Sequence, residues 1–231
     1  MGWKEELAKW QMYRPSFEIK SEGTALLVVD VQNWGVRPDV EMGRLVTRQY
    51  PTIANYFFPR VTELVIPNIA RLIAHFRVRH MRVVYLTVGP ELADGSDLAD
   101  IIKRRLVSRR ASGGPAGMPP KGNWEHNVVE ELQPQPGDLV INKTSFGAFN
   151  STALDTILRH LGIESLIIVG VATDVCVETT ARDAADRGYQ CVLVDDGCAT
   201  FDQNSHDAAL LAFAKSFGMV NSTDEVLAQI P

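Results

Sequence analysis

The sequence predicts an α/β fold: a doubly wound, mainly parallel β-sheet with helices on both faces, in three layers. Three observations carry this expectation. Strand-length runs such as TALLVVDV (24–31) and SLIIVG (165–170) are apolar without alternation, as strands buried on both faces require. Between them lie segments with apolar residues at helical spacing, and strand–helix–strand succession implies right-handed crossovers covering both faces of a parallel sheet. The helices also carry local punctuation: STALDTILRHLG (151–162) opens on Ser/Thr and stops on Gly162. No linker-like stretch, repeat or low-complexity tract divides the 231 residues, so a single unit over 1–231 is expected.

Residues 1–21 read as a charged, amphipathic, helical N-terminal extension, and 24–31 is the first strand. Residues 42–60 form an insertion before the next helix; its part RQYPTIANYFFPR (48–60) is aromatic and proline-broken, either a lid or a subunit contact. VTELVIPNIARLIAHFRVRH (61–80) has helical spacing, with Pro67 either kinking it or marking its first turn. MRVVYLTV (81–88) is the second strand and DLADIIKRRLVS (97–108) a short helix. ASGGPAGMPPKGN (111–123) is a loop, on the surface or in a lid; it lacks the GK[ST] ending of a phosphate cradle. A helical WEHNVVEEL (124–132) precedes the strand DLVINK (138–143). After 151–162 and 165–170 come a helix at 175–188, the strand YQCVLVDD (189–196), a helix at 204–218, a short MVN and TDEVLAQI.

The net charge of −5 is spread without a long single-sign run. RRLVSRR (104–110), the densest basic stretch, reads as a solvated helix face rather than a nucleic-acid patch. No apolar run reaches 18 residues, the N-terminus lacks a signal core, and no Ser or Thr at position 6 follows Gly2 for myristoylation. A soluble, cytoplasmic protein without nucleic-acid or membrane partners is expected. Cys176, Cys191 and Cys198 are odd in number and form no CxxC, against a disulfide framework or zinc knuckle. Cys191 falls in a strand pattern and reads as packing; Cys198 is placed in the turn after that strand. None of the five histidines (75, 80, 126, 160, 206) has a ligand-spaced partner, so surface or packing roles are expected, with no metal and no cofactor.

Open α/β sheets place their sites outside the carboxyl ends of the strands. There the sequence puts Asp30, Lys143 and Cys176. Singly, each has an ordinary account as a turn-former, a surface amine or a core thiol. Jointly they suit thiol chemistry: the thiol needs a base, a leaving amine needs an acid, and one carboxylate serves both in turn. A lysine beside it keeps that carboxylate ionised and stabilises a thiolate. Cys176 also opens a helical pattern, where the positive end of the helix is expected to lower its pKa.

On LLVVDVQN, GDLVINKTSFGAFNSTALDTILRHLGIESLIIVGVATDVCVETTARDAADRGY and VLVDD, the chain resembles the isochorismatase-like cysteine hydrolases over residues 22–220. The resemblance implies a triad of Asp30, Lys143 and Cys176. It also implies a non-proline cis peptide between Val171 and Ala172, and an oxyanion hole from the amides of Ala172 and Cys176. The implied chemistry is attack of Cys176 on an amide carbonyl, a thioester intermediate and hydrolysis, without metal or organic cofactor. A homo-oligomer, dimer or tetramer, is implied by kinship alone.

Nicotinamidases of this superfamily carry an Asp-x-His metal site after the second strand; here that loop reads TVGPELADGSDLAD, without histidine. Isochorismatases that cleave a vinyl ether lack the cysteine. The motifs look most like the ureidoacrylate and biuret hydrolase branch, implying a small linear amide or ureido substrate. Such compounds suit amide and aromatic walls, for which Gln32, Asn33, Trp34, Phe146, Phe149 and Gln203 are candidates, with Arg37 a candidate cation for a carboxylate. A redox thiol protein or a silent binding protein on the same fold are the readings from other classes. The first needs a resolving cysteine, and the second predicts loss of a triad member.

Overall fold

The computed structural model describes residues 2–115 and 117–230. Met1, Ala116 and Pro231, which the expected 1–231 unit spans and the first two of which fall in the N-terminal extension and the 111–123 loop, lie outside the described residues. One six-stranded parallel sheet organises the chain: β1 (Thr24–Val29), β2 (Arg82–Val88), β3 (Leu139–Lys143), β4 (Ser165–Val171), β5 (Gln190–Ala199) and β6 (Met219–Asn221). The order across the sheet is β3-β2-β1-β4-β5-β6. The chain therefore winds outward from β1 to β3, returns past β1 to lay down β4, and winds outward the other way. This reversal between β1 and β4 is the switch point at which doubly wound sheets open a crevice.

The helices are α1 (Trp3–Ala8), α2 (Asn33–Val36), α3 (Glu41–Gln49), α4 (Pro51–Pro59), α5 (Ile66–Val78), α6 (Asp100–Ala111), α7 (Leu154–His160), α8 (Glu178–Asp186), α9 (Gln203–Ser216) and α10 (Thr223–Gln229). The unalternated strands divide their side chains between two cores. Leu26, Val28, Val83, Tyr85, Ile167 and Val169 face Ile69, Leu72, Ile73 and Phe76 of α5. Ala25, Leu27, Val29, Leu166 and Ile168 face the opposite core, with Leu158 of α7, Ala181 of α8 and Phe213 of α9. Fully burying each such aliphatic side chain contributes about 1.5–3 kcal/mol, which holds the strands in register. Among the described residues no helix is long and apolar enough to cross a membrane.

Several expectations need correction. The N-terminal extension is helical only over Trp3–Ala8. The 42–60 insertion is carried on the helices α3 and α4. A wide π turn, Arg60–Val65, joins α4 to α5 without a break in helical backbone, and Pro67 follows it as the second residue of α5. WEHNVVEEL is not a helix: two short 3₁₀ turns, Trp124–His126 and Glu130–Leu132, flank an extended piece. That piece bridges to the chain after β1, with Val128 opposite Gln32 and the Val129 amide donating to the Val31 carbonyl at 3.1 Å. Cys198 is not in a turn, because β5 continues to Ala199 and buries it.

Candidate active site

Asp30 leaves β1 with φ of 54°, a left-handed conformation that Asp tolerates better than most residues. Its amide still donates to the Leu86 carbonyl at 2.8 Å, so the turn is pinned to β2. Lys143 ends β3 opposite Val88 and is fully buried. Its Nζ donates to Asp30 Oδ2 at 2.8 Å and to the Ser145 carbonyl at 3.1 Å. The other carboxylate oxygen, Asp30 Oδ1, is buried and has no hydrogen-bond partner among the described residues.

Cys176 lies in a wide turn, Thr173–Val177, that follows β4 and runs into α8. The peptide between Val171 and Ala172 is cis, and the Ala172 carbonyl accepts from the amides of Val175 and Val177. The approach of this turn to Asp30 depends on Gly170. At its φ of 123° a side chain is strained, and a Cβ there would overlap the Val29 carbonyl. Behind the turn, Thr173 Oγ1 meets His206 Nδ1 at 2.9 Å, and His206 Nε2 lies 2.9 Å from both Asp195 Oδ1 and an Arg60 nitrogen. Trp3 Nε1 donates to Asp195 Oδ2 at 2.9 Å, tying the N-terminal helix into the same network.

The electrostatics of the three groups are mutual. Burial raises the pKa of Asp30 against the pull of Lys143. Burial works to lower that of Lys143, but the charges of Asp30 and Cys176 outweigh it and hold the ammonium on. Burial, then the charge of Asp30, push the Cys176 thiol up, with Lys143 opposing. This runs opposite to the lowering expected of a helix start: desolvation and a nearby carboxylate both favour the protonated thiol. An adjacent base is then needed to activate it, and Asp30 is the carboxylate beside it.

Asp30, Val171, Ala172 and Cys176 form the floor of a cavity of about 160 Å³. Of the six residues proposed from sequence to contact substrate, Trp34 and Phe146 line it. The other four are committed elsewhere. Gln32 is fully buried, its Nε2 donating to the carbonyls of His126 (2.6 Å) and Val88 (3.3 Å) while its Oε1 accepts from the Val88 amide (2.8 Å). Asn33 donates to the Trp124 carbonyl at 3.0 Å and accepts from Arg37 Nε at 3.2 Å. Phe149 packs beside Tyr189 in the core and does not line the cavity, and exposed Gln203 bonds Tyr56 and Asp207. Arg37 is held by Glu131 at 2.8 Å. Sequence reasoning missed Phe57 and Phe58 of α4, Arg105 and Arg109 of α6, and Met118, all of which line the cavity. The only available signals were the aromatic run at 48–60 and the basic run at 104–110. Among the described residues no group of three or more His, Cys, Asp or Glu side chains is placed to hold a metal ion.

The isochorismatase domain model matches residues 24–225. This chain belongs to the isochorismatase family. It is a hydrolase of that family. The family chain is 34% identical over 216 residues to the ureidoacrylate amidohydrolase RutB of Variovorax paradoxus, covering 90% of this chain and 81% of that protein. Among solved structures it is similar to a cysteine hydrolase from Pseudomonas syringae pv. phaseolicola, with a TM-score of 0.79 and 25% identity over 95% of this chain and 98% of that one. N-carbamoylsarcosine amidase from Thermoplasma acidophilum gives 0.63 and 26%, over 87% and 96%.

Proposed function

We propose that this chain is a cysteine-dependent amidohydrolase. It cleaves a C–N bond of a small linear amide or carbamoyl/ureido compound, of the biuret, triuret or ureidoacrylate kind, through a thioester. The observation that carries the reading is the buried Lys143–Asp30 pair: the carboxylate keeps one oxygen without a partner, and Asp30 lines the same cavity as Cys176. The likeness to RutB and to the carbamoylsarcosine amidase supports the substrate class.

Cys176 attacks the carbonyl carbon while Asp30 takes its proton, so that no free thiolate has to exist beforehand. The developing oxyanion is received by the amides of Ala172 and Cys176. Collapse breaks the C–N bond, and Asp30 gives its proton to the departing nitrogen, which leaves as ammonia or an amine. Asp30 next takes a proton from water as that water attacks the thioester. The carboxylic product leaves, and the proton returns to sulfur. Lys143 stays protonated throughout and balances the charge of Asp30. The same reading has the enzyme working in the cytoplasm as a homo-oligomer, a dimer or tetramer, which sedimentation of the purified chain tests.

The functional test is ammonia release from biuret, triuret, ureidoacrylate, N-carbamoylsarcosine, maleamate and nicotinamide, with Cys176→Ala as the blank. Turnover of a ureido compound that disappears in the variant supports the reading. Turnover of nicotinamide alone would replace the substrate class, and silence together with a Cys176 that resists alkylation would remove the enzyme.

A further inference from the structure

Helix α6 carries the chain's densest cationic run, Lys103, Arg104, Arg105, Arg109 and Arg110. Lys103 pairs with Asp100 at 2.8 Å. Arg105 and Arg109 stand four residues apart, hence on one helix face, and both line the cavity that has Cys176 on its floor. Neither forms an ion pair with any described residue. Glu41 and Glu125 border the adjoining hollow that Arg109 also reaches, without coming within ion-pair distance of it.

Each of the two side chains has a packing contact that positions it beside the cavity. Arg105 lies over the Phe146 ring, 4.8 Å from its centroid. The stem of Arg109 is packed by the backbone of Gly114: a Cβ there would come 2.6 Å from Arg109 Cγ and 2.7 Å from Leu45 Cδ2. The Gly114 amide donates to the Arg109 carbonyl at 3.0 Å, which holds the glycine against the stem of this side chain. Burial, then the neighbouring Arg105, pull the Arg109 guanidinium below its ordinary pKa. Like charges at this spacing oppose each other, and desolvation adds to the cost unless an anion arrives. The walls around them are otherwise apolar, and the buried Trp34 Nε1 is a further donor without a partner.

We propose that Arg105 and Arg109 receive a carboxylate on the substrate, so that the compound cleaved is a small amide or ureide acid and not a neutral amide such as biuret. This deepens, and rests on, the reading of Cys176 as the nucleophile. Planar guanidinium forks match a carboxylate bidentately. The spacer between carboxylate and scissile carbonyl is short, because an apolar cavity of roughly 150 Å³ holds about one benzene ring.

The test needs no natural substrate. N-Bromoacetyl-β-alanine and its methyl ester present one alkylating carbon with and without an anionic tail. With either, the Cys176 sulfur displaces bromide as a C–S bond forms, and the thiol proton is released. A charge-assisted hydrogen bond corresponds to about a 10- to 150-fold preference, so the acid should modify native Cys176 at least about tenfold faster than the ester. Replacing both arginines (Arg105→Gln with Arg109→Gln) should bring the two rates together. A wild-type ratio at or below one, or a preference that survives the double replacement, would overturn the anion site while leaving the nucleophile standing. Failure of both reagents to modify native Cys176, when the unfolded chain is modified, would remove the nucleophile and this proposal with it.

Discussion

The floor and the walls of the cavity are built differently. The floor comes from the ends of parallel strands: Asp30 after β1 and the turn bearing Cys176 after β4, with Lys143 closing β3 buried behind Asp30. Its groups are buried: the Asp30 amide is bonded to the Leu86 carbonyl of β2, and Lys143 to the Asp30 carboxylate and the Ser145 carbonyl. The walls come mostly from segments outside the sheet: Trp34 of α2, Met42 and Val46 of α3, Phe57 and Phe58 of α4, Arg105 and Arg109 of α6, and Met118. The floor therefore has one arrangement that fits, while the walls can change one side chain at a time. On this account the floor fixes the reaction and the walls choose the substrate, so substitutions in the two should fail in different ways.

The largest effect is expected at the nucleophile. Cys176→Ala should remove turnover of every substrate, at least about 10⁴-fold, with the fold intact by circular dichroism. Gly170→Ala should cost about 4 kcal/mol or more, read as a collapsed urea midpoint, because its Cβ has no room beside Val29. Lys143→Met leaves the Asp30 carboxylate buried and unpaired. A loss of about 3–5 kcal/mol should appear in denaturant unfolding at neutral pH and shrink in acid, where Asp30 protonates. On the walls, Phe58→Ala should raise KM about tenfold or more while kcat for the best substrate stays within a few-fold. If it instead abolishes kcat for all substrates, the division between floor and walls is wrong.

The smallest expected effect is a shift in the pH profile. A base must be deprotonated to act, so activity is present above the pKa of Asp30 and lost as pH falls through it. Burial raises that pKa, and the acid limb of kcat/KM should lie above the ordinary carboxylate value of about 4.

The same division governs what could be read in the sequence. Strand ends are legible because an apolar run stops on a polar residue, as at Asp30 and Lys143. Where the polar residue is satisfied from afar, that signal misleads. YQCVLVDD looks finished at its two aspartates, yet β5 runs on. Asp195 is met by Trp3 and His206, and Asp196 accepts from the amide and hydroxyl of Thr223 at 2.7 and 2.8 Å. WEHNVVEEL has helical spacing, but Val128 and Val129 are recruited by the chain after β1. Gln32 and Asn33 follow Asp30 in sequence, yet their amides secure the 124–132 segment, and it is Trp34 that reaches the cavity. Which face of the basic helix meets the cavity depends on where α6 docks, and no local pattern encodes that.

The most direct measurement is the intact mass of the protein quenched in acid during turnover of a ureido acid, followed by mapping of any adduct. The account predicts a mass increase equal to the substrate's acyl group on the peptide containing Cys176, and neither adduct nor turnover in Cys176→Ala. Turnover by Cys176→Ala at the wild-type rate would contradict it.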